Sequence, residues 1–86
     1  MRFVTVFSQL ETCYAVGFDE LPDAVDFLFW GYEEYELLPY GVYDVLTDEV
    51  TVYEHKGEVV ARFDPEVITK TALSYLTNAG VRLKKA

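Results

Sequence analysis

Asp19-Glu20-Leu21-Pro22-Asp23-Ala24-Val25-Asp26-Phe27-Leu28-Phe29-Trp30-Gly31-Tyr32-Glu33-Glu34-Tyr35, residues 19–35, is the stretch on which the fold turns. Asp19 can accept from the free backbone N–H groups that open a helix, and Pro22 falls in the first turn, where its missing N–H costs nothing. At ~100° per residue, Leu21, Ala24, Val25, Leu28, Tyr32 and Tyr35 share one stripe, enough to bury the helix against a sheet. The helix is expected to end near Tyr35 or Glu36. Trp30 then lies almost opposite the stripe, with Asp23, Asp26, Glu33 and Glu34 at helical spacing and Phe27 at the stripe's edge.

Strands are expected on both sides of this helix. Arg2-Phe3-Val4-Thr5-Val6-Phe7 is β-branched and aromatic at successive positions, which suggests neighbours on each side of the strand or along one edge. Ser8 to Thr12 is polar enough to turn, and Cys13 to Phe18 reads as a hairpin partner. After the helix, Pro39-Tyr40-Gly41 breaks the chain before a meander of Val42–Leu46, Val50–Glu54 and Glu58–Phe63, turned at Thr47-Asp48-Glu49 and at His55-Lys56-Gly57. Asp64-Pro65-Glu66 places a cap residue, a proline at the first helical position and an acid in the first turn. The helix it opens carries Val67, Ile68, Ala72, Tyr75, Leu76 and Ala79 at three- and four-residue spacing and ends at Asn78-Ala79-Gly80. The order is ββαβββα. It predicts an α+β fold, a single domain over residues 1–86 with an antiparallel sheet of about five strands, both helices most simply on one face as a two-layer sandwich, and a short basic tail at 81–86.

The charge is unevenly placed. The chain has 86 residues and 9.9 kDa of mass, with fifteen Asp and Glu against seven Lys and Arg, a net charge of -8 and a pI near 4.4. Hydrophobic residues make up 51% and aromatics 16%, too many for an acidic disordered tail, so the charge rides on a packed core. Between Arg2 and Lys56 lie 53 residues with twelve carboxylates and no Lys or Arg. From Lys56 onward six basic residues face three acids. Such a field repels nucleic acid and anionic membrane, so direct nucleic-acid binding is disfavoured and a basic protein surface is the expected partner. No apolar stretch approaches the roughly 20 residues of a membrane span, and a soluble cytoplasmic protein is expected.

Catalytic chemistry is thinly represented. The single Cys13 and single His55 have no spacing that pairs them, and His55 beside Lys56-Gly57 reads as an exposed turn residue. Cys13 reads as a small buried hydrophobe in its strand, with no internal disulfide available to it. The carboxylate pairs Glu33-Glu34 and Asp48-Glu49 sit in polar stretches, where nothing raises one of them into general-acid range. There is no glycine-rich phosphate loop, paired Cys/His metal spacing or calcium-loop pattern, so no cofactor or metal is expected. Of the seven tyrosines, Tyr32, Tyr35 and Tyr75 read as core by helical phase. Tyr40 and Tyr53 read as exposed, Tyr53 sharing a strand face with Glu49 and Thr51.

The sequence therefore predicts a non-enzymatic binding protein. Its expected partner-binding residues are Asp23, Asp26, Phe27, Trp30, Glu33, Glu34, Tyr40, Asp48, Glu49 and Tyr53. In its sharpest form the carboxylates mimic nucleic-acid phosphates, as in a phage or mobile-element inhibitor that blocks a host nucleic-acid-binding defence complex, an analogy from size and charge. The alternative is a small structural or regulatory domain that self-associates, as a homodimer, through its aromatic surface.

Overall fold

Phe3, Thr5 and Phe7 leave strand β1 (Phe3–Gln9) on one side and Val4 and Val6 on the other, and all five are buried. A strand apolar on both faces must be covered twice. In the computed structural model, which describes residues 1–79, β1 is an interior strand, paired antiparallel with β2 (Thr12–Phe18) and β3 (Leu38–Asp44). β4 (Glu49–Val52) extends the far side of β3, giving the order β2-β1-β3-β4. Helix α1 (Leu21–Tyr35) packs Ala24 and Leu28 against Phe3, Phe7 and Val42. A second helix, α2 (Glu66–Asn78), packs Ile68, Ala72 and Leu76 against Val4, Val6 and Tyr43.

The α+β class, the antiparallel sheet and the two helices stand as expected, but the layering differs. The helices lie on opposite faces and the sheet is the middle of three layers. The reason lies in β1 itself, because a two-layer arrangement would have left Val4 and Val6 in water. Thr5, fully buried, spends its hydroxyl on the Val16 carbonyl at 3.0 Å.

Pro39-Tyr40-Gly41 does not break the chain. β3 runs through it with a bulge: Val6 faces Gly41 and Phe7 faces Pro39, leaving Tyr40 as the extra residue. A proline without an N–H is tolerated inside a sheet at such a place. A Cβ at Gly41 would collide with the Thr51 carbonyl and the Ile68 methyl, so only glycine lets β4 and α2 approach there.

The meander also ends early. After Val52 the chain leaves the sheet, and its remaining strands are the short pair β5 (Glu54–His55) and β6 (Glu58–Val59), a separate two-stranded sheet closed by Lys56 and Gly57, both at positive φ. The expected third strand, Glu58 to Phe63, is thus ordered as a ladder only over its first two residues.

The helix ends follow local chemistry. Asp19 does not cap α1; it pairs with the Met1 amine at 2.9 Å, and Glu20 takes the cap position without a side-chain bond. At the other end Glu36 adopts a left-handed conformation (φ 57°), and the Leu37 N–H returns to the Gly31 carbonyl at 3.0 Å. Pro65 takes the cap position of α2 and the helix begins at Glu66, one residue later than the sequence predicts, with the Asp64 carboxylate accepting the Glu66 N–H at 3.0 Å just ahead of it. Gly80 and the basic tail at 81–86 lie outside the described residues.

Candidate functional site

The buried stripe of α1 is Ala24, Leu28 and Gly31, rotated from the predicted one. Leu21, Val25, Tyr32 and Tyr35, expected in the core, are exposed. The shift has a cause in Gly31: it offers no side chain, and Leu37, folded back under the helix, occupies the space a Cβ would need. Trp30 consequently sits on the flank of the stripe, 53% exposed, with its ring edge-on to Phe29 at 5.1 Å.

Four of the predicted residues meet in one groove. Asp23, Asp26, Phe27 and Trp30 line it together with Gly31, Tyr35 and Leu37, and it encloses about 240 Å³ with an almost wholly apolar lining. Phe27 also anchors α1 to the sheet, since its ring packs against Phe7 and Phe18 at 5.3 and 5.4 Å while its edge lines the groove. Asp23, Asp26 and Glu34 are exposed. Among the described residues the ion pairs join the Met1 amine to Asp19, Arg2 to Asp44, Lys56 to Glu33 and Lys70 to Glu66, and none is made to these three acids.

The other predicted residues lie elsewhere. Glu33 faces the β5–β6 hairpin, where its Oε2 meets His55 Nε2 at 2.7 Å. Tyr53, expected to be exposed, is 7% exposed in the core under α1, because the chain bends over the helix just after Val52. Tyr40 is half-buried on the opposite face of the sheet, stacked on Phe63 at 4.5 Å. Asp48, in the β3–β4 turn, and Glu49, the first residue of β4, are exposed, and Asp48 accepts a hydrogen bond from the Tyr43 hydroxyl. That bond, after burial itself, helps push the Tyr43 phenol up to about 12.

His55 is the residue sequence reasoning misplaced most. It is 7% exposed, not an open turn residue. Its ring stacks on Phe29 at 4.8 Å and leans on Tyr32 at 4.6 Å, while Nδ1 meets the Tyr53 hydroxyl at 2.8 Å. A carboxylate only accepts, so Nε2 carries a proton, and in the neutral ring Nδ1 then accepts from the Tyr53 hydroxyl. The linked trio Tyr53–His55–Glu33 thereby pins the hairpin to α1. The alternation Tyr53, Glu54, His55 was the one available signal, since Tyr53 and His55 share a face. Burial, then the Glu33 charge, raises the Tyr53 phenol from its ordinary value. With its hydroxyl committed and buried, the trio offers no nucleophile to a substrate.

Cys13 is exposed, not buried, near the end of edge strand β2. At the same end of the sheet as Asp23, Arg2 grips Asp44 through two bonds of 3.2 and 3.0 Å, and that contact holds the Asp44 carboxyl below the usual range. Among the described residues no helix is long and apolar enough to cross a membrane, and no three His, Cys, Asp or Glu side chains are grouped to hold a metal ion. Comparison with protein-family models, with curated proteins and with solved structures returns no match.

Proposed function

We propose that this chain is a non-enzymatic binding protein whose acidic α1 face engages a basic surface of a partner protein. One observation carries the reading: a half-exposed tryptophan beside a groove bounded by carboxylates that no cation among the described residues neutralises. A large aromatic ring with flanking charge is the composition of an interface anchor. The field around it attracts cations and repels polyanions, so the partner is a protein carrying Lys and Arg rather than a nucleic acid. If that partner is itself a nucleic-acid-binding protein, the acids compete with phosphates for its basic groove, the mimicry version of the same reading.

The test is retention of proteins from a host lysate by the immobilised chain at low and high salt, beside a variant with Asp23→Asn, Asp26→Asn and Glu34→Gln. Glu33 is left intact because it holds His55. A partner held at low salt by the native chain and released by the variant supports the reading; identical retention by both removes the α1 face from consideration. Addition of nucleic acid to the retained complex then tests mimicry, which requires the partner to be competed off.

A second reading, self-association, draws on one observation. β2 lies at an edge of the sheet, and its seven residues contain no Lys, no Glu and no proline, the devices that blunt an edge. Sedimentation at rising concentration tests it, and a salt-insensitive dimer would favour it.

A further inference from the structure

We infer that the groove beside Trp30 is a seat for an arginine side chain presented by a basic segment of the partner, an inference that rests on the acidic-face reading above and specifies its ligand. The groove's size argues for a side chain. At about 240 Å³ it falls below the roughly 300–1,000 Å³ of small-molecule sites. Its composition argues for a cation with an apolar stem. Phe27, Trp30, Tyr35 and Leu37 provide an apolar lining, while Asp23 and Asp26 border it with exposed carboxylates that make no ion pair among the described residues.

Asp23 with Phe27 and Asp26 with Trp30 are both four residues apart on α1, so each acid stands one helical turn from an aromatic ring. That spacing suits a planar cation. A guanidinium lies flat on an indole and still turns its N–H edge to a carboxylate, and it sheds water more readily than an ammonium. Lysine carries the same charge as a strongly hydrated point and gains less from the ring. The Phe29 contact fixes one edge of the indole and Leu37 fills the space below Gly31, so the wall is set before a ligand arrives.

The probes are tetra-arginine and tetra-lysine peptides, equal in charge and length, titrated into the full chain at low and physiological salt. Trp30 is the chain's one tryptophan, so its fluorescence reports the site directly. Tetra-arginine is expected to change that fluorescence saturably and to bind about tenfold tighter than tetra-lysine. Trp30→Ala, followed by calorimetry, should bring the arginine peptide down to the lysine affinity, and Trp30→Phe should recover part of the difference. Trp30 is half-exposed, and an unchanged thermal midpoint of both variants verifies that they fold. Equal, salt-sensitive affinity for the two peptides that Trp30→Ala leaves unaltered would overturn the arginine seat while leaving the acidic-face reading standing. Failure of both peptides to bind at low salt would overturn both.

Discussion

At His55 a single ring joins two parts of the chain that no ladder connects. In the neutral ring its Nδ1 accepts a hydrogen bond from the Tyr53 hydroxyl while its Nε2–H donates to Glu33, so removing the imidazole strands a buried phenol. His55→Leu is expected to cost about 1–3 kcal/mol through that unpaired hydroxyl. The cost should shrink when Tyr53→Phe is already present, because then no donor is left waiting. Urea unfolding of the two single variants and the double variant measures this; additive losses would refute a linked trio. Tyr43 bears on alkaline pH. Its phenol, about 10 when unfolded, is raised to about 12 by burial first and then by the bond to Asp48, so between these values the folded state holds a proton the unfolded state has lost. The associated stability is complete below pH 10 and declines as pH climbs through 12. Tyr53 shifts in the same direction. Unfolding midpoints measured from pH 9 to 11 should fall, and Tyr43→Phe should flatten the slope; equal slopes would contradict the assignment.

Between β1 and β2 the connection is two residues, Leu10 and Glu11, both at positive φ (51° and 66°) and facing outward from the paired Gln9 and Thr12. A tight hairpin of this hand prefers Asn-Gly, and Leu10 is instead 94% exposed with a side chain that resists the conformation. Replacing the pair, Leu10→Asn with Glu11→Gly, should raise stability by roughly 1–2 kcal/mol, read as a higher thermal midpoint with unchanged circular dichroism. What could be read from the residues followed how local their causes are. Asp64-Pro65-Glu66 and the apolar spacing behind them all act within one turn, and the second helix begins within one residue of where they place it. The phase of α1 went astray because Gly31 contributes nothing to an apolar stripe and its filler, Leu37, arrives from beyond the helix. Apolar residues on both faces of β1 were visible, yet which helix covers which face depends on the route the chain takes around the sheet. The bend after Val52, which buries Tyr53 and His55, is decided by packing on α1, and the only local trace of it is that Tyr53 and His55 share a face. Trp30 proved easier to place because its neighbours on the helix are acids whatever the exact phase.

Charge belongs to the molecule as a whole. Asp23, Asp26 and Glu34 are exposed and make no ion pair among the described residues, so their field reaches outward. Neutralising those three should slow association with a basic partner more than it speeds dissociation. The difference should fade as salt rises, since exposed charges are screened beyond ~8 Å at physiological ionic strength. Stopped-flow association at several ionic strengths tests this; a change confined to dissociation would mean the acids act only after docking.

The central position of β1 also fixes the order in which the chain can finish folding during synthesis. Its apolar residues, Phe3 to Phe7, emerge from the ribosome ahead of the elements that cover them, and α1 can close one side once residue 35 has emerged. Val4, Val6 and Tyr43 must wait for Ile68, Ala72 and Leu76, carried by the last helix of the described chain. Until that helix emerges the nascent sheet therefore presents an uncovered apolar plane next to an unblunted edge at β2, the kind of species that chaperones retain and that aggregates when they do not. A chain halted before residue 66 would stay in that condition permanently.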